Sequence, residues 1–252
     1  MLSFKKGSDI ANVYRKDKKK KPKKIKTIKI FDDNFTEENP LREWKIEDNK
    51  NDFLMPTPRK ISERLYISAP SGSGKSTFIG LYLNELRKKY KDRPIYLFSR
   101  IEEDEPLDKY DPIRIPLERE YFDEEPLSPE EFSGSIIIFD DIDTLKDKPL
   151  LKYIQSFRDD LLECGRHFDI TTISTTHQIT NYLSTRTLLN EAQAVVLFPK
   201  CSGQYQLKTF LERYMGFDKE QIEKVRKLPS RWIFMYKEFP MYIVYEKGVL
   251  VV

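Results

Sequence analysis

The chain has 252 residues, enough for one medium-sized domain with a full hydrophobic core and a tail. Its 44 basic and 41 acidic residues leave a formal net charge of only +3, which excludes a uniformly basic or acidic protein. Cys164 and Cys201, without a secretory signal or a bilayer-length apolar run, predict free thiols in a reducing, intracellular setting. A zinc site combining them with His167 and His177 would match no zinc-ligand spacing.

The first part of the chain is unusually basic. Residues 1–30 lack periodicity and include a nearly continuous basic block from Arg15 to Lys24, which predicts a disordered basic tail. Such a tail could be solvated, could bind nucleic acid or could be a nuclear address. Residues 31–60 are expected to be a lead-in segment, and 61–252 the folded domain.

The stretch RLYISAPSGSGKST, residues 64–77, changes from a short apolar run to a glycine-rich loop. Gly72 and Gly74 allow backbone N–H groups to turn toward phosphate oxygens, Lys75 supplies a charge to the β and γ phosphates, and Ser76 can bind Mg²⁺. The pattern predicts a phosphate-binding loop made of Pro70, Ser71, Gly72, Ser73, Gly74, Lys75, Ser76 and Thr77.

The sequence around this loop supports the interpretation, although Ala69 stands where the pattern usually has its first glycine. An apolar strand precedes the loop, and a helix is predicted after it from the spacing of Phe78, Ile79, Tyr82, Leu83 and Leu86. The alternative, a Gly/Ser-rich surface turn, explains neither the strand nor the helix.

A second strand is predicted over residues 95–98, so strands and helices alternate as in an α/β domain with a parallel sheet. Residues 101–134 are acidic and rich in proline, and they predict a long excursion with a short strand near 113–117.

Residues 135–143, SIIIFDDID, have the form of a strand buried on both faces that ends in carboxylates. Asp140 is expected to hold Mg²⁺, directly or through water, beside the phosphate loop. Asp141 is then placed to orient or deprotonate an attacking water, and Asp143 is expected to be solvated or near the next helix. An ordinary acidic turn after a strand is the alternative.

The remaining elements complete the predicted domain. A helix over 147–165 leads through Arg166 and His167 to a strand over 170–176, whose polar tip is His177 and Gln178. That tip is expected near the γ phosphate, between the ends of the two motif strands, which are the strand before the phosphate loop and the strand that ends at Asp140. The alternative is that His177 and Gln178 belong to a loop and bond only to backbone. Further helices are predicted over 182–192, 205–214 and 220–228, a strand over 195–198, and a C-terminal β-hairpin over 231–236 and 241–245.

Four segments, APSGSGKST, SIIIFDDID, ECGRHFDITTISTTHQ and RTLLNEAQAVVLFPK, in this order and spacing resemble the FtsK/HerA-type genome-packaging ATPases of large DNA viruses, virophages and polinton-like elements. The likeness is good over residues 60–200 and loose elsewhere. It implies a RecA-like P-loop NTPase, an α/β fold with a mainly parallel central sheet flanked by helices. It also implies an ATP-driven, hexameric homo-oligomeric ring that pumps double-stranded DNA into a capsid.

The resemblance implies roles for individual residues. Lys75, Ser76 and Asp140 match the nucleotide-binding and magnesium-binding positions, whereas Asp141 replaces the usual glutamate and has a shorter reach. Gln178 matches the polar sensor. Arg166 falls where the family has an arginine finger, an arginine that reaches the nucleotide site of the neighbouring subunit. Arg186 is the other candidate for this role. Capsid proteins would be partners, no membrane would be involved, and the location would be host-cell cytoplasm at sites of virus assembly, with virion association also open.

Two other classes of function share the phosphate loop. A small-molecule or polynucleotide kinase would need an acceptor site, whereas the carboxylate pair suits activation of water. A switch or scaffold protein that depends on a nucleoside triphosphate is the non-enzymatic alternative. No N-K-x-D motif fixes the base, so ATP is not distinguished from other nucleotides by the residues alone.

Overall fold

The protein is described from a computed structural model that covers residues 1–16, 21–31, 42–47, 51–124, 126–181 and 185–252. The strands are β1 Leu2–Ser3, β2 Ser8–Arg15, β3 Lys23–Ile30, β4 Glu43–Lys45, β5 Asp52–Pro56, β6 Arg64–Ser68, β7 Ile95–Ser99, β8 Ile113–Arg114, β9 Ile136–Asp140, β10 Thr171–Thr176, β11 Ala194–Leu197, β12 Ile233–Tyr236, β13 Tyr242–Tyr245 and β14 Gly248–Val251. The helices are α1 Lys75–Lys89, α2 Glu105–Asp108, α3 Arg119–Glu124, α4 Lys148–Cys164, α5 Arg186–Glu191, α6 Gln204–Arg213 and α7 Lys219–Arg226.

In the described part of the chain, ten strands form the central sheet in the order β4-β14-β13-β12-β11-β6-β10-β9-β7-β8. The six from β11 to β8 run parallel, and the other four continue the sheet in antiparallel fashion. The expected α/β fold with a mainly parallel centre is confirmed. The predicted C-terminal hairpin is also present, as β12 and β13, and β14 extends it.

Helices cover both faces of the sheet because its central strands are apolar on both sides. α1 packs in one core cluster, and α5, α6 and α7 pack in a second with the opposite side chains of β11 and β12. α4 covers β9 and β7 in a third. The side chain of Asp147 caps α4, and Asp218 and Gln221 form the predicted capping box of α7.

The expected disordered tail over residues 1–30 is wrong for the described part of that range. Strands β1, β2 and β3 form a second, antiparallel sheet with β5, in the order β1-β3-β2-β5. Ile10, Val13 and Ile28 are buried in the same core cluster as α1. The lysine-rich composition concealed these apolar positions, and contacts with α1 supply the burial that the segment could not achieve alone. Part of the basic block, residues 17–20, lies outside the described residues.

The lead-in segment also takes part in the fold. β5 joins the N-terminal sheet and β4 joins the edge of the central sheet, so this segment contributes one strand to each sheet. Within the described ranges, no helix has the length and apolar character needed to cross a membrane.

Candidate nucleotide-binding site

The phosphate loop follows β6 at the carboxyl edge of the central sheet. Gly72 and Gly74 have φ angles of 74° and 99°, which glycine adopts readily and other residues rarely do. Helix α1 starts at Lys75, directly after Gly74, so its first N–H groups lie at the loop. The sequence therefore folds here into the cradle that its glycines predict.

Strand β10 lies between β6 and β9, so three strand ends meet at this edge. Ser68 at the end of β6 pairs with Thr176, and Phe139 near the end of β9 pairs with Ser174. The prediction that the polar tip of β10 would lie between the two motif strands is confirmed. Carboxyl ends of parallel strands are the usual place for a ligand in an open α/β sheet.

A cleft of about 360 Å³ opens at these strand ends. Residues of the phosphate loop line it together with Asp140 and Asp141. Asp104 and Glu105, from the acidic excursion, complete the wall. The sequence shows that this excursion is acidic, but no local pattern in it predicts a position beside the loop.

Lys75 is buried and bonded within the protein. Its Nζ lies 3.0 Å from Asp141 Oδ2 and donates to the Ala69 carbonyl oxygen at 3.0 Å. The lysine side chain is 6% exposed and that of Asp141 18%, so solvent screens this ion pair only weakly. A phosphate bound at the loop would therefore compete with Asp141 for the ammonium group.

Asp140 is held between two hydroxyl groups. Its Oδ1 lies 2.9 Å from Thr175 Oγ1, and its Oδ2 lies 3.3 Å from Ser99 Oγ. Burial, followed by the charge of Asp141, raises the pKa of the Asp140 carboxyl. A cation beside Asp140 would offset both effects.

Thr175 connects the two carboxylates and was not singled out from the sequence. Its Oγ1 accepts the Asp141 N–H at 2.8 Å and lies 2.9 Å from an oxygen of each aspartate. Because a hydroxyl has one proton, it donates to one carboxylate at a time. Its place in a strand rich in threonine was the available signal, but only strand pairing shows which threonine faces the aspartates.

His177 is the polar residue of the β10 tip that reaches the carboxylates. Its Nε2 lies 3.3 Å from Asp141 Oδ2. Gln178 is exposed, and its backbone carbonyl accepts hydrogen bonds from Tyr66 Oη and Thr176 Oγ1, each at 2.8 Å. The side chain of Gln178 does not line the cleft, so its sensor role stays a prediction.

Oxygen ligands for Mg²⁺ are available where the sequence predicts them. Ser76 and Asp140 face the same cleft, and hydroxyl and carboxylate oxygens are the ligands that this hard cation prefers. Ligand atoms of Asp141, Asp143 and His177 also lie within 4.8 Å of one another, a second arrangement able to hold a cation. Burial and the nearby charge of Asp141 raise the pKa of Asp143, so this carboxyl is not freely solvated, which was one of the two surroundings expected for it.

The two candidate finger arginines flank β10 in the chain. Arg166 is exposed just before β10, whose first residue pairs with the first residue of β9. Five residues of strand, about 17 Å, separate that edge from the carboxyl edge. Arg186 is also exposed and begins α5, which follows the carboxyl end of β10. Arg166 therefore lies far from the phosphate loop of its own subunit.

Arg166 has few contacts within the chain. Its Nε lies 3.4 Å from Nε2 of His167. Among the described residues, it makes no ion pair with Glu163 or Asp169, the carboxylates that lie three residues from it on either side in sequence.

Comparisons with known proteins identify relatives of this chain. No family model matches it. A protein of Sputnik virophage, described as uncharacterized protein V3, is 37% identical over 208 residues, which span 79% of this chain and 84% of the relative. The chain belongs to the family of this virophage protein.

Solved structures show the fold that this virophage family shares with other proteins. The genome packaging NTPase B204 of Sulfolobus turreted icosahedral virus 2, in complex with AMPPCP, has a TM-score of 0.50 and 16% identity, covering 73% of this chain and 98% of that protein. The pCW3 conjugation coupling protein TcpA with ATPγS has a TM-score of 0.50 and 13% identity, covering 92% of this chain and 75% of that protein. These structures confirm the α/β fold that the resemblance implies, and the Sputnik relative comes from a virophage, one of the groups that the resemblance names.

Proposed function

We propose that this protein is the ATP-hydrolysing motor of a viral packaging machine, a homo-oligomeric ring of six subunits that moves double-stranded DNA into a capsid. The observation that carries the proposal is that Lys75 of the phosphate loop meets Asp141 at the end of β9, in a cleft that Asp140 and Ser76 also line. Its virophage relative and the fold of B204, a genome packaging NTPase, support the packaging role.

The residues of the cleft divide the chemistry among them. The loop N–H groups and Lys75 bind the phosphates, and Ser76 and Asp140 would hold Mg²⁺, which neutralises charge on the transferred phosphoryl group. Asp141 accepts a proton from, or orients, the attacking water once a phosphate has taken its place beside Lys75. We assign Gln178 to sensing the γ phosphate. Arg166 of a neighbouring subunit is the proposed finger, with Arg186 as the other candidate.

The first test is nucleotide hydrolysis with and without duplex DNA. Wild-type protein should release phosphate from ATP faster when DNA is added, which a kinase or a passive scaffold would not do. Lys75→Ala should abolish phosphate release because the phosphates lose their cation. Lys208→Ala removes an exposed lysine of α6 and is the matched control.

Circular dichroism should show that both variants remain folded. Normal hydrolysis by Lys75→Ala would overturn the assignment of the site. If DNA does not change the hydrolysis rate of the wild-type protein, the proposed motor function is overturned, whereas the assignment of the nucleotide site stands. Particles assembled in infected host cells should contain or recruit the protein at their sites of assembly.

A further inference from the structure

A second groove lies between the N-terminal sheet and α1. It has a volume of about 510 Å³, and Tyr14 and Phe53 form its aromatic wall with their rings stacked 5.7 Å apart. We call it the basic groove because four basic side chains line it: Lys21, Arg87, Lys88 and Lys109. They come from the β2–β3 connection, the end of α1 and the residue after α2, so folding brings together cations from three separate segments.

The charge of this groove is concentrated relative to the rest of the protein. Among the described residues that line it, Glu85 is the one acidic residue, so four cations and one anion leave an excess of +3. That excess equals the formal net charge of the entire 252-residue chain. A surface of this kind attracts polyanions, and the range of this attraction becomes shorter as the salt concentration rises.

Glu85 does not cancel the attraction of the groove for polyanions, because its charge is compensated by partners inside the protein. The residue is 4% exposed. Its carboxylate accepts hydrogen bonds from Asn12 and Tyr14 and pairs with Lys88, each at 2.7 Å. Lys21, Arg87 and Lys109 therefore supply the excess charge.

We propose that the basic groove binds the phosphate backbone of double-stranded DNA. A single phosphate group is usually held by converging backbone N–H groups, as at the phosphate loop, whereas the groove presents the carboxyl end of α1. Cations spread over three elements match a row of phosphates instead. The basic end of α1 also stabilises its own helix dipole, but that explains neither Lys21 nor Lys109.

The groove and the nucleotide cleft share structural elements. α1 carries Lys75 at one end and Arg87 at the other, about 18 Å away. The short segment around α2 lines both sites, with Asp104 at the cleft and Lys109 at the groove. Tyr110, next to Lys109, donates a hydrogen bond to the Gly80 carbonyl oxygen in the middle of α1. DNA held in the groove would thus contact elements that also form the nucleotide site.

The test is the salt dependence of DNA binding without nucleotide. A fluorescent 30-base-pair duplex is titrated with wild-type protein and with a Lys21→Gln/Lys109→Gln double variant. The slope of log affinity against log salt should fall by about 2 in the double variant, because each lost phosphate contact removes about 0.9. Lys208→Gln/Lys227→Gln removes equal charge from exposed positions on the α6–α7 side and should leave the slope unchanged.

The inference rests on the proposed DNA motor, yet the two can fail separately. An unchanged slope in the double variant overturns the groove, and if the wild-type protein still shows DNA-stimulated hydrolysis, the motor stands. Hydrolysis without DNA should be the same in the double variant and in wild type, since neither lysine lines the nucleotide cleft. Inorganic pyrophosphate is also added as a competitor, at a concentration that supplies as many negative charges as the DNA phosphates. If it displaces the duplex, the groove is a site for small anions, and the proposal that it binds the DNA backbone is overturned.

Discussion

Asp141 has a left-handed backbone conformation, with φ of 46°, at the point where β9 ends. Aspartate and asparagine tolerate this conformation better than most residues because their short polar side chains bond locally. The turn brings the Asp141 carboxylate to Lys75 and His177 while Asp140 stays in the strand. Two consecutive aspartates therefore have different surroundings, which supports different roles.

Asp141→Asn should keep this backbone and remove the charge. We expect nucleotide affinity to be retained, because Lys75 loses its competing carboxylate, and turnover to fall on the order of a hundredfold or more, the usual contribution of a positioned base. Single-turnover hydrolysis and nucleotide binding measure the two effects separately. Asp143→Asn is the control, with a smaller loss of turnover expected. Loss of Mg-ATP binding in Asp141→Asn would mean that Asp140 and Asp141 have exchanged roles.

Glu63 is a buried carboxyl group outside the nucleotide site. It precedes β6 and accepts a hydrogen bond from Tyr82 of α1. Burial raises the pKa of Glu63 to about 7. Because the folded pKa lies above the unfolded one, the folded state binds the proton more tightly, and this stabilisation is lost as pH rises from about 4.5 to about 7.

Glu63→Gln should remove this pH dependence of stability. Between pH 5 and pH 7 the wild-type free energy of unfolding should fall by about 2 kcal/mol relative to that of Glu63→Gln, since the limiting slope of about 1.4 kcal/mol per pH unit is not reached at either end of this range. Urea unfolding at several pH values measures the difference. Glu212→Gln, at an exposed position of α6, should parallel the wild type. Parallel curves for wild type and Glu63→Gln would contradict a neutral Glu63 in the folded protein.

At the scale of elements, the contact between α1 and α2 depends on Gly80. A Cβ at this position would lie 2.8 Å from the Pro106 carbonyl oxygen. Glycine inside a helix normally costs about 1 kcal/mol relative to alanine, so its presence in α1 fits a close approach of neighbouring backbone. Through this contact the acidic excursion is fixed beside the phosphate loop.

Gly80→Ala should destabilise the protein, although alanine is the better helix former. Overpacking of this kind usually costs about 1–3 kcal/mol. If α2 shifts to relieve it, nucleotide affinity should also fall, because Asp104 and Glu105 line the cleft. Thermal unfolding and nucleotide titration measure the two effects. Gly203→Ala, where nothing lies within 4 Å of the added carbon, should be close to neutral; equal stability of the two variants would show that α2 yields without cost.

At the scale of the whole molecule, two sheets share the helix that carries Lys75. The N-terminal sheet buries Ile10 and Val13 against the side of α1 opposite the solvent, and Asn12 and Tyr14 bind the buried Glu85. Removal of residues 1–30 would therefore expose a core cluster and leave a buried carboxylate with fewer partners. A truncated chain is unsuitable for testing DNA binding, whereas single lysine substitutions leave the sheet intact.

The proposed ring predicts complementation between inactive subunits. Arg166→Ala and Asp141→Asn proteins should each be inactive, and a mixture should regain part of the hydrolysis wherever an intact site meets an intact arginine. An arginine from a neighbour is typically worth about a thousandfold or more in rate. Phosphate release from mixtures of varied ratio measures the recovery. Full activity of Arg166→Ala alone, or no recovery in any mixture, would move the finger to Arg186.

Local patterns in the sequence were sufficient to predict much of the fold and of the candidate site. Glycines that permit positive φ, a lysine and serine at the start of a helix, and four apolar residues ending in aspartates specify their own local structure. The order of strands and helices then restricts the domain to a parallel α/β sheet, because each crossover returns the chain to the same edge. The phosphate loop, the aspartate pair and the C-terminal hairpin followed from such patterns.

Tertiary structure alone decided which residues meet across long separations in sequence. Thr175 lies between Asp140 and Asp141 because β10 pairs beside β9, and His177 rather than Gln178 reaches Asp141 because of how the chain turns after β10. The basic N-terminal segment folds because α1 buries its few apolar residues, a stabilisation that its own composition cannot reveal. Strand pairing and burial depend on the partner surface, and the sequence of one segment does not contain that surface.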